Sequence, residues 1–86
     1  MIALIGEIDL SNADEVRLMI EPTVSHARER IVFDLGALEF LDSSGIALLS
    51  WAAAQTDAVQ LRQPSSIVRR VIEVTGLFEI LYMDPS

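Results

Sequence analysis

Residues 31–50 read IVFDLGALEFLDSSGIALLS, and this stretch decides the fold. Ile31 to Leu35 is an apolar run broken only by Asp34. It has the length of a strand and the near-continuous hydrophobicity of one covered on both faces of a parallel sheet. Gly36 is expected to turn the chain, with Leu38, Phe40 and Leu41 as apolar anchors of the loop that follows. At Asp42 the period changes. Gly45, Ile46, Leu49, Ala52 and Ala53 fall on one side of a helix that the spacing predicts from Asp42 to about Gln55. A buried strand leading through a loop into a helix is half of a β-α-β unit, so the remaining elements are sought outward from it.

Toward the N-terminus, Ile2 to Gly6 reads as a strand that Glu7-Ile8-Asp9-Leu10 continues or ends. Ser11 or Asn12 can cap the next helix, each with a carboxylate three residues on. That helix is expected from about Ala13 to Glu29, with Ala13, Val16, Ile20, Val24 and Ala27 inward and Pro22 and His26 outward. Toward the C-terminus, Val59-Gln60-Leu61 is a short strand, and Pro64-Ser65-Ser66 opens a third helix with Ser65 as cap. Val68, Val71, Ile72 and Thr75 face inward, Arg69 and Glu73 pair outside, and Gly76 suits a left-handed helix end. Phe78 to Tyr82 is the last strand. The pattern β-α-β-α-β-α-β predicts one α/β domain over residues 1–86, a four-stranded, mostly parallel sheet with three helices and right-handed crossovers.

Composition narrows the chemistry. The 86 residues carry six basic and thirteen acidic side chains, a net charge of −7, which argues against a nucleic-acid binder. All the basic residues are arginines, so there is neither a Schiff-base amine nor a P-loop lysine. Without cysteine there is no disulfide, thiol nucleophile or thiolate metal site, and the single histidine, His26, cannot build a metal cage. The hydrophobic share of 51% is ample for a core. No apolar run reaches the ~20 residues of a membrane span, and Met1 to Gly6 is too short and uncharged for a signal peptide. The expectation is a cytoplasmic protein with no cofactor, no metal and no membrane partner.

The chemistry-bearing segment is Asp42-Ser43-Ser44-Gly45. A helix start gathers unpaired backbone N–H groups and the positive end of the helix dipole, so a phosphate on Ser43 or Ser44 would be well placed. The tetrapeptide is also a common way to cap a helix, and on its own it requires no function.

The wider pattern resembles the STAS domain family, the sulfate transporter and anti-sigma-factor antagonist domains. Gly6-Glu7-Ile8-Asp9 is similar to the family's G-E-[LI]-D segment, Ile31 to Gly45 to its strand, loop and D-S-[ST]-G signature, and Val68 to Leu77 to its last helix and closing turn. The resemblance implies an anti-sigma-factor antagonist, not an enzyme. It would bind a serine-kinase anti-sigma factor when unphosphorylated, be released when that kinase phosphorylates it, and be reset by a phosphatase. Carried over, the phosphoacceptor is Ser43, with Ser44 as alternative. Asp42 is the motif's acid and cap, Asp9 lies near the same end of the sheet, and Ser44 and Gly45 of the motif join them as partner-binding residues, to which the hot-spot character of tryptophan adds Trp51. The alternative is a STAS subunit of a transport or signalling assembly that does not switch. The family usually has one further N-terminal strand, which this chain lacks. The Ile2–Gly6 strand is therefore expected at a sheet edge, where weak homodimerisation is an option.

Other residues carry two readings. Trp51 is either an exposed partner anchor or is covered by a neighbouring helix or the chain end. His26 reads as a solvated surface residue, and Asp34 as an acceptor for backbone N–H groups of the next loop rather than a catalytic acid. Arg69 and Arg70 fit a solvated helix face better than a phosphate site. Glu7, Asp9 and Asp42 lack the defined spacing of a Mg²⁺ site. Serine hydrolysis has no base or triad partner in the sequence.

Overall fold

Strand and helix alternate along the chain, as the hydrophobic periodicity predicts. The computed structural model describes residues 1–27, 29–74 and 82–84. Its elements are β1 (Ile2–Ile8), α1 (Ala13–His26), β2 (Arg30–Leu41), α2 (Ser43–Gln55), β3 (Ala58–Arg62), α3 (Ser66–Val74) and β4 (Tyr82–Asp84). β1, β2 and β3 make the body of a parallel sheet, and β4 joins β3 over three residues, from Gln60 opposite Tyr82 to Arg62 opposite Asp84. The spatial order is the chain order, β1-β2-β3-β4, so β1 stands at an edge as expected. Arg28, Thr75, Gly76 and positions 78–81 of the expected last strand lie outside the described residues.

A parallel sheet in chain order, with crossovers of one hand, carries all its helices on one face. Burial agrees. Leu4 and Ile8 of β1, Ile31, Phe33 and Leu35 of β2, and Val59 and Leu61 of β3 share one apolar cluster with residues of all three helices. On the other face Ile5 is 74% exposed, and Val32, Asp34 and Gln60 are only half-buried. The expectation that β2 is covered on both faces is therefore corrected: its long apolar run lies between a packed face and a wet one.

A second correction concerns Gly36, which does not turn the chain. β2 runs on to Leu41, and β1 pairs with it throughout, with Ile5 opposite Ala37 and Ile8 opposite Leu41. Two irregularities separate the pairs Ala3–Asp34 and Ile5–Ala37, and the pairs Gly6–Leu38 and Glu7–Phe40. Each inserts an extra residue on β2, as a β-bulge does. The inward positions consequently fall at Leu35, Leu38 and Leu41, three apart instead of two. A strand with that spacing does not read as one in sequence.

α1 ends at His26, short of the expected Glu29, because Arg30 is already paired with Ala58 in the sheet. Its inward face is as read, with Ile20 and Val24 buried, and Pro22 and His26 lie exposed. In α2, Leu48 joins the expected Ile46, Leu49 and Ala52 in the core. In α3, Val68 and Ile72 are buried, Ser65 Oγ accepts from Val68 N at 3.2 Å, and Arg69 meets Glu73 at 3.2 Å. Among the described residues no helix is long and apolar enough to cross a membrane.

Candidate functional site

The site is assembled where β1 and β2 end together. Ile8 is opposite Leu41, so Asp9 and Asp42 leave adjacent strands at the same end of the sheet. Asp42 is locked on entry: its N–H donates to the Ile8 carbonyl at 3.1 Å, and its own carbonyl accepts from Ile46 N at 3.0 Å. Its Oδ1 accepts from Ser44 N at 2.8 Å and from Gly45 N at 3.4 Å. Asp42 is thus the N-cap the sequence predicts, satisfying two of the helix's unpaired donors.

Gly45 is buried and cannot be larger without movement. A Cβ there would stand 2.7 Å from Leu41 Cβ and 3.4 Å from Ile8 Cγ2. Glycine lets the first turn of α2 settle onto the ends of both strands. That leaves Ser43 exposed at the first helical position and Ser44 half-buried beside it.

Asp9 arrives at the same end but faces its own turn. Its Oδ1 accepts from Ser11 Oγ at 2.5 Å and from Ser11 N at 2.9 Å. These bonds, the hydroxyl's first, hold the Asp9 carboxyl below its ordinary pKa. The expected capping by Ser11 or Asn12 side chains is corrected. Asn12 is the N-cap residue of α1 but makes no side-chain cap bond. Its amide is used backwards, Oδ1 accepting from Asp9 N at 2.9 Å and Nδ2 donating to the Glu7 carbonyl at 2.8 Å. The turn from β1 into α1 competes for the groups that would cap the helix.

Between α1 and α2 lies a groove of about 220 Å³ lined by Leu10, Ala13, Asp14, Arg17, Ser44, Ala47, Leu48 and Trp51. It brings Trp51 to the same surface as Ser44, the residue after Ser43. The ring is half-exposed, with the Arg17 guanidinium carbon 4.9 Å from its centroid. A neighbouring helix thus lays one arginine over the Trp51 ring, and the rest of the ring stays open to a partner. Arg17 is the residue that sequence reasoning missed. Its partner is distant in sequence, and only the parallel alignment of two helices starting from paired strand ends would have suggested it.

The remaining candidates stand apart from this site. His26 Nδ1 lies 2.6 Å from the Pro22 carbonyl oxygen, at the opposite end of α1 from Asp9. Asp34 Oδ1 accepts from Gly36 N at 2.9 Å, the backbone role expected, though within a strand rather than a loop. Among the described residues no three His, Cys, Asp or Glu side chains gather as metal ligands do.

Comparison with known proteins places these features in context. The family model described as "Mlab, STAS domain" matches residues 1–82. The anti-sigma F factor antagonist of Lysinibacillus sphaericus is 30% identical over 82 residues, covering 90% of this chain and 70% of that one. The anti-sigma F factor antagonist of Paenibacillus polymyxa is 28% identical over 89 residues, covering 94% and 74%. Among solved structures, the anti-sigma factor antagonist SpoIIAA in its unphosphorylated form superimposes with a TM-score of 0.70 at 25% identity, covering 98% of this chain and 76% of that chain.

Proposed function

The chain belongs to the STAS domain family, with relatives named as anti-sigma factor antagonists, and on that premise we propose that it binds an anti-sigma factor through the α2 start and is released by phosphorylation of Ser43. The observation that carries the reading is the exposure of Ser43 on a helix start whose Asp42 cap and buried Gly45 hold it outward. A serine so presented suits an enzyme's substrate. Among the described residues no histidine stands beside it to act as its base, since His26 lies at the other end of α1. The anti-sigma factor is a serine kinase in this reading: ATP gives its γ-phosphoryl group to Ser43 Oγ, the hydroxyl proton is lost, and ADP leaves. A phosphatase removes the group.

The added phosphate carries about −1.5 to −2 charges. It would sit on a domain of net charge −7, close to Asp42 and to the sheet end that carries Asp9. Repulsion and desolvation then weaken an interface that includes Asp9, Asp42, Ser44, Gly45 and Trp51. A cytoplasmic location belongs to the same proposal.

The test is incubation with the host's anti-sigma kinases and ATP, followed by intact-mass measurement. One phosphoryl group on the wild type and on Ser44→Ala, with none on Ser43→Ala, is the expected result. Labelling of Ser43→Ala as strong as that of the wild type assigns the role elsewhere. No labelling by any host kinase favours a STAS subunit that binds partners without switching.

A further inference from the structure

α1 and α2 start side by side, and their facing flanks repeat at the same helical spacing: Ala13 and Arg17 on one, Ser44, Ala47 and Trp51 on the other. Among the described residues Arg17 is the single cation lining the groove, and Asp14 the single acid. Arg17 is solvent-exposed, and its guanidinium rests on the Trp51 ring. A cation–π contact at a half-exposed ring is weak beside a charge-assisted, bidentate bond from guanidinium to phosphate. Helical side chains lean toward the N-terminus of their helix. Arg17 lines the same groove as Ser44, the residue next to Ser43. Among the described residues no carboxylate is ion-paired with Arg17, Asp14 of the same groove included. Asp42 is engaged with Ser44 N and Gly45 N, and Asp9 with Ser11.

We propose that Arg17 leaves the Trp51 ring to pair with a phosphate at the Ser43–Ser44 turn, so that the ring carries the guanidinium in the unmodified protein and is freed of it in the phosphorylated one. Modification then changes two parts of the partner surface together, adding charge at the α2 start and removing a cation from the face of Trp51. The inference rests on the phosphorylation reading above.

The test installs phosphoserine directly by genetic encoding, at position 43 in one protein and at 44 in another. It therefore does not depend on any kinase, and labelling of Ser43 by host kinases remains a separate test of the underlying reading. Phosphorus NMR gives the second pKa of the phosphate, ordinarily about 6. The fluorescence of Trp51, the chain's single tryptophan, reports the stacking. The expected result is a second pKa lower by about half a unit or more with Arg17 than with Arg17→Gln, with partial restoration by Arg17→Lys. Phosphate should shift the Trp51 emission of the wild type, and unmodified Arg17→Gln should show the shifted emission already. An equal pKa with and without Arg17 at both positions, or a Trp51 emission indifferent to phosphate, overturns the proposal.

Discussion

Asp42 and Asp9 leave paired strand ends, yet their carboxylates do different work. Asp42 accepts from two amides at the start of α2. Asp42→Ala should cost about 1 kcal/mol, within the roughly 0.5–2 kcal/mol range of N-cap losses, whereas Asp42→Asn should change little; urea denaturation of the three proteins measures both. Asp9 is half-buried and accepts from Ser11, which holds its carboxyl below the ordinary carboxylate range. A carboxyl with a depressed folded-state pKa adds stability that is present above its unfolded value and lost as pH falls through the folded one. The β1–α1 turn should therefore loosen only in acid below that ordinary range. Ser11→Ala should raise the Asp9 pKa back toward it, as a carboxyl-carbon NMR titration will show. An Asp9 pKa unmoved by Ser11→Ala would mean that the Ser11 hydroxyl is not its main determinant.

At the scale of elements, the decisive contact is the first turn of α2 on the ends of β1 and β2. A Cβ at Gly45 would meet Leu41 Cβ, an atom fixed to the backbone of β2, at 2.7 Å. Gly45→Ala should therefore destabilise the protein by about 1–3 kcal/mol through overpacking, in spite of alanine's better helix propensity. A thermal melt equal to or above the wild type would show that the strand end yields easily. This contact also explains what the sequence made legible. The helix starts at Asp42 and Ser65 and the inward faces of α1 and α2 follow from local chemistry and helical period, and they are found as read but for Leu48, which α2 adds to the core. The second half of β2 is different, because its two extra residues give inward leucines a spacing of three, which imitates a loop or a helix. The capping of α1 is equally hidden from sequence, because Asn12 spends its amide on Glu7 and Asp9, a competition that only the geometry of the turn decides. The wet face of the sheet is a property of strand order, which no local pattern encodes.

For the molecule as a whole, charge determines how a single serine could govern binding. The chain carries −7 over 86 residues, so its association with any partner is already shaped by an acidic field. Ser43 contributes only an exposed hydroxyl to that surface. Ser43→Ala removes the hydroxyl without altering charge or cap, and it should bind the anti-sigma partner as the wild type does. Ser43→Asp adds one negative charge beside Asp42 and should bind more weakly by about 1–3 kcal/mol, roughly five- to 150-fold. Screening separates charge from shape. Repulsion between solvent-exposed charges falls with ionic strength, since the Debye length shrinks from about 10 Å at 0.1 M to about 3 Å at 1 M. The gap between Ser43→Asp and Ser43→Ala should therefore narrow markedly in high salt if repulsion sustains it. A gap that persists unchanged would place the cost in desolvation or steric exclusion at the α2 start, and calorimetric titration of both variants at two salt concentrations distinguishes the two.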